Sequence, residues 1–70
     1  MATVNDMEVK DFAKREYPDD YSMQKYVYNN QSAAKDYMLH ADNDEAKKQA
    51  QQEYPDDYSM QKYIYNRANR

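Results

Sequence analysis

An all-α fold, a small bundle of about four helices arranged as two pseudo-symmetric helix–break–helix units, is predicted by three observations. The 70 residues contain no Gly, which is hard to reconcile with hairpins and tight primed turns. Strong helix formers (Ala, Lys, Glu, Gln, Met) fill the stretches on either side of the two prolines, Pro18 and Pro55. A fourteen-residue segment at 16–29 returns at 53–66, identical at thirteen positions, with Val27 against Ile64 the exception. Self-similarity of this kind marks a repeated supersecondary unit, and two copies are too few for a solenoid, so the repeat is read as symmetry within one bundle.

The elements follow in order. The first helix is predicted from about residue 6 to 16, capped by Asn5 or Asp6, with Val9, Phe12 and Ala13 on one face. Pro18 ends it and pushes Tyr17 toward extended backbone. Asp19 and Asp20 suit the cap and first turn of a second helix, where carboxylates meet free N–H groups. Its expected span is 20 to 41, with an apolar stripe of Met23, Tyr26, Val27, Asn30, Ala34, Tyr37, Met38 and Ala41 and a weak point at 29–32. Asp42 or Asn43 caps a third helix to about Tyr54. Its apolar face is only Ala46 and Ala50, so it lies outside the bundle or packs closely through small residues. Pro55 breaks the chain again, and Asp56–Asp57 start a fourth helix that frays toward Arg70.

Composition makes the core thin. Val, Ile, Leu and Phe number six (Val4, Val9, Phe12, Val27, Leu39, Ile64), a fraction low enough to signal disorder. Nine Tyr, five Met and eight Ala, with a net charge of only −3, oppose that signal. A single domain over residues 1–70 is expected, with a thin Tyr-rich core, Tyr hydroxyls at its rim, and self-association into a homo-oligomer to supplement so small a core. The absence of Cys removes disulfides and Cys-based zinc sites. Residues 1–6 have neither a basic start nor an apolar run, and no stretch approaches eighteen apolar residues. Those features predict a cytoplasmic chain without a membrane partner. The mildly acidic balance argues against nucleic acid as a partner.

The flanks of the segment are more informative than the segment itself. At the same offset of 37 residues, positions 6–15 and 43–52 agree only at Glu8/Glu45, Lys10/Lys47 and Ala13/Ala50, and 30–33 agree nowhere with 67–70. The segment was either copied alone or held fixed while its surroundings drifted, and in both cases it is the functional or structural unit; an engineered chain is the third reading. Its wheel has two arcs. Met23, Tyr26 and Val27, with Met60, Tyr63 and Ile64, form the expected core arc. Tyr21, Gln24, Lys25 and Tyr28, with Tyr58, Gln61, Lys62 and Tyr65, form the other. Tyr supplies broad amphipathic contact area at low entropic cost, so this second arc is the candidate partner-binding face. The competing reading buries both arcs between neighbouring helices.

No residue set points to catalysis, to a metal or to a cofactor. Asp19–Asp20 and Asp56–Asp57 are read as helix caps rather than paired acid–base carboxylates. Asp42–Asn43–Asp44–Glu45 lacks the Gly and the later Glu of a calcium loop. His40, the single His, has Asp36 and Asp44 four residues to either side but no thiol or Ser elbow to complete a triad. The expected function is a non-enzymatic, self-associating protein–protein interaction module. The alternative is a small acidic inhibitor or mimic from a mobile element that blocks a nucleic-acid-binding or enzyme surface.

Overall fold

Pro18 and Pro55 each stand at the turn of a helical hairpin, and the computed structural model, which describes residues 6–69, contains four helices and no strand among them. They are α1 (Met7–Glu16), α2 (Tyr21–Leu39), α3 (Asp44–Glu53) and α4 (Tyr58–Ala68). Val4, Asn5 and Arg70 lie outside the described residues.

Every helix begins with the same device. Asp6, Asp20, Asn43 and Asp57 stand in extended backbone and accept the N–H three residues on, from Val9, Met23, Ala46 and Met60 respectively. Each such cap satisfies one of the N–H groups that a helix start leaves unpaired, worth about 1 kcal/mol. Asp20 and Asp57 are thus accounted for by capping. The two breaks also share one geometry, with Tyr17 at φ −137°, ψ 76° and Tyr54 at φ −136°, ψ 78°. Residues 29–32 do not interrupt α2, because Gln31 and Ala34 bury one side of that stretch.

After each break the chain runs back along the helix it has just left. Gln24, one turn into α2, donates its amide to the carbonyls of Tyr17 (2.7 Å) and Pro18 (3.2 Å) at the end of α1. Tyr28, a turn further, accepts the N–H of Asp6 at the start of α1 (3.2 Å). The second hairpin repeats both contacts. Gln61 donates to Tyr54 (2.7 Å) and Pro55 (3.3 Å), and Tyr65 accepts the N–H of Asn43 (3.1 Å). One segment therefore ties down both ends of the preceding helix, twice over.

At 19 residues α2 outruns α1, and its second half packs on the other hairpin. Met38 buries against Ala46 and Ala50 of α3 and Ile64 and Tyr65 of α4, with Ala41 at the edge. Half of the eight buried apolar residues are Ala (Ala13, Ala34, Ala46, Ala50), so α3 packs by close approach of small side chains. The molecule is flattened, with principal extents of 37, 25 and 16 Å. The core is small, but it is Ala-rich rather than the Tyr-rich core that composition suggests, with Tyr65 the single buried Tyr among the described residues.

One expectation about rotation is overturned. Tyr26 and Tyr63, assigned to the core arc, are 62% and 54% exposed, while Gln61 and Tyr65, assigned to the outward arc, are 1% and 3% exposed. The cause is the break. Its open carbonyls and the cap N–H need polar partners inside the hairpin, and the Gln amide and Tyr hydroxyl supply them, turning that arc inward. Ile64 stays buried at the shoulder of the arc, and Met23, Val27 and Met60 are half-buried.

Candidate functional site

The two copies of the segment make identical bonds to their own hairpins but differ in what lies over them. Over the second copy lies the second half of α2, and the contacts run in register along both helices. Gln31 accepts the N–H of Tyr58 (2.7 Å) and donates to Asp57 (2.8 Å) and Ser59 (3.3 Å), closing the start of α4. Two turns on, the Tyr37 ring meets Tyr65 edge to face at 6.2 Å, takes the Lys62 ammonium over its face at 4.7 Å, and donates its hydroxyl to Asn66 (2.7 Å). From Gln31 to Tyr37 the contacts advance from Tyr58 to Tyr65, so the two helices run in the same direction.

An ion-pair cluster fastens this overlay to α1. The Lys35 ammonium lies 2.8 Å from Asp6 and 3.0 Å from Glu8, and over the Tyr58 ring at 5.6 Å. Tyr58 in turn donates its hydroxyl to Glu8 (2.8 Å). The hydrogen bond from Lys35 holds the Asp6 carboxyl below its ordinary range, and those from Tyr58 and Lys35 do the same for Glu8. Lys35 is raised by the same two carboxylates. Burial, aided by Glu8, pushes the Tyr58 hydroxyl up to about 12.

Over the first copy there is no such helix among the described residues. Tyr21, Gln24, Lys25, Tyr28 and Asn29 of α2 form one wall, and Lys10, Ala13 and Lys14 of α1 the other, of an open groove of about 560 Å³. Tyr21 is 78% exposed, whereas its twin Tyr58 is half-buried. Of the eight predicted partner-binding residues, the structure thus brings Tyr21, Gln24, Lys25 and Tyr28 together in this groove. Tyr58, Gln61, Lys62 and Tyr65 stand in the covered twin, where only Lys62 is exposed. Lys10, Ala13 and Lys14 were missed as lining residues. A signal existed for two of them, since Lys10/Lys47 and Ala13/Ala50 are two of the three flank matches.

No known protein family, curated protein or solved structure matches the chain. The functional reading therefore rests on the groove and its covered twin.

Other candidate chemistry is sparse. His40 ends α2 with its Nδ1 at 2.8 Å from the Asp36 carbonyl and 3.7 Å from the Asp36 carboxylate, on an exposed side chain. Asp44 lies in the first turn of α3. Among the described residues no group of three or more His, Cys, Asp or Glu side chains is placed to hold a metal ion, and no helix is long and apolar enough to cross a membrane.

Proposed function

We propose that this protein is a non-enzymatic protein–protein interaction module whose docking surface is the groove between α1 and the first half of α2. The observation that carries this reading is the contrast between twins: Tyr21 is 78% exposed, and the identical Tyr58 is covered by a helix. A surface with the same residues on its repeat wall, and with Lys47 and Ala50 matching Lys10 and Ala13 on the other, already receives a helix in this molecule, so its open copy is suited to receive one too. Three Lys and no acid line the groove, which supports a partner with acidic flanks rather than the inhibitor of a basic surface.

The test is capture of cellular protein by tagged chain. Tyr21→Ala with Lys25→Ala removes two exposed groove groups, and Lys48→Ala alters the exposed side of α3 instead. Loss of the captured partner with the first variant and retention with the second supports the reading. Equal capture by both contradicts it.

Self-association is a second reading, favoured by a separate surface. Tyr26 and Tyr63 occupy the same position in the two copies and are both exposed, as are Leu39 and Met7. They offer large amphipathic area away from the groove.

A further inference from the structure

We infer that the groove takes an amphipathic helix supplied in trans by a different protein, built on the pattern of this chain's own residues 31–38 and flanked by acids. This inference rests on the reading of the groove as a docking surface and names what docks there.

The occupied twin gives the pattern. A Gln at the position of Gln31 closes the start of the receiving helix, an aromatic at that of Tyr37 lies under a Lys and against a Tyr, and Met38 fills the floor over Ala50. Moved back by 37 residues, the receiving groups are Asp20, Tyr21, Lys25, Tyr28 and Ala13, all identical in type to Asp57, Tyr58, Lys62, Tyr65 and Ala50. An incoming helix therefore runs in the same direction as the first half of α2. Its Gln faces the Tyr21 N–H and its aromatic lies beneath the Lys25 ammonium as a cation–π contact.

Charge separates the two grooves. The open one is lined by Lys10, Lys14 and Lys25, whereas the covered one has Gln51 in the place of Lys14. The additional cation selects a helix with carboxylates beside the apolar stripe.

A second copy of this chain cannot be the donor of that helix. Among the described residues there are two such grooves and one helix of the required pattern, and that helix is already engaged on α3 and α4. Exchanging it between copies fills one groove only by emptying another, so the deficit of one helix per chain persists in any homo-oligomer.

The probe is a capped synthetic peptide with the sequence of residues 29–42, titrated into the isotope-labelled full chain and followed by amide NMR shifts. The expected result is saturable shifts confined to the groove, at Tyr21, Lys25, Tyr28 and Lys14. Lys25→Glu in the chain should weaken binding about tenfold, and so should raised salt. A peptide carrying Gln31→Ala, Tyr37→Ala and Met38→Ala should not bind. Shifts centred on α3 and α4, an affinity indifferent to Lys25→Glu, or no binding would each overturn the inference. Contacts from residues 1–5 to the Tyr21 ring in the free chain would do the same, by making the groove self-filled. Failure here with Tyr21-dependent capture intact would reject this helix pattern and leave the docking surface standing. Failure of both would remove the two together.

Discussion

Gln61 reaches back across the second break and donates its amide to the carbonyl of Tyr54 at 2.7 Å, from a position that is 1% exposed. Gln24 makes the same bond to Tyr17 at 2.7 Å while half-buried. The pair therefore separates the bond from its burial. Gln61→Ala removes a buried amide and leaves part-buried carbonyls without it, and should cost about 1–3 kcal/mol, whereas Gln24→Ala should cost about 0.5–1 kcal/mol. Urea unfolding of the two variants checks the order. Equal losses would mean that burial of the break contributes nothing.

The Tyr hydroxyls give a second contrast. Tyr65→Phe removes the acceptor of the Asn43 N–H and should destabilise the fold by about 1–2 kcal/mol. Tyr63→Ala, on an exposed ring, should shift stability by no more than about 0.5 kcal/mol. Thermal melts compare them, and a larger loss from Tyr63→Ala would reverse the rotation assigned to α4.

Much of this was legible in the residues. Asp6, Asp20, Asn43 and Asp57 announce the helix starts, and Pro18 and Pro55 announce the breaks, because capping and proline geometry act over three or four residues. The rotation of the repeated segment was not legible. Periodicity groups Met23, Tyr26 and Val27 as an apolar stripe and ranks Gln24 as outward. Only the position of the preceding helix end shows that a Gln amide is needed inside. The groove was half legible, since its α2 wall belongs to the repeat. Its α1 wall required knowing that α2 turns back along α1, so that Lys10 and Ala13 come to face Lys25 and Tyr28.

Close packing through Ala makes a third prediction. Ala50 is 0% exposed beneath Met38, so Ala50→Leu forces extra volume into the α3–α4 contact and should cost about 1–3 kcal/mol. Ala33→Leu, at an exposed site on α2, should be close to neutral. Denaturant midpoints decide between them, and a neutral Ala50→Leu would contradict the packing described.

The cluster around Lys35 predicts how stability depends on pH. Asp6 and Glu8 are lowered in the fold, so their contribution is full above their unfolded values of about 3.9 and 4.3 and is lost as pH falls through the folded ones. Tyr58 and Lys35 are raised, so theirs is full below about pH 10 and is lost as pH rises beyond that. Each partly solvated pair is worth about 0.2–1 kcal/mol. Lys35→Gln should flatten the acid limb of a plot of Tm against pH, chiefly through Asp6, and should leave the Tyr58 part of the alkaline limb, which burial and Glu8 produce. An acid limb identical in the variant would contradict the role given to Lys35.

Self-association through the outer faces should make Tm rise with protein concentration by mass action. Tyr26→Ala with Tyr63→Ala should abolish the rise. Sedimentation of a monomer at high concentration, with a concentration-independent melt, would exclude it.

The central claim is that two stretches of chain, identical at thirteen of fourteen positions, differ in what covers them. A soluble paramagnetic agent added to chain with labelled Tyr rings reads that directly, ring by ring. Tyr21 should relax as strongly as the exposed Tyr26 and Tyr63, Tyr58 should be partly protected, and Tyr65 should be the most protected. Equal protection of Tyr21 and Tyr58 would contradict the claim, because the first groove would then be as covered as the second.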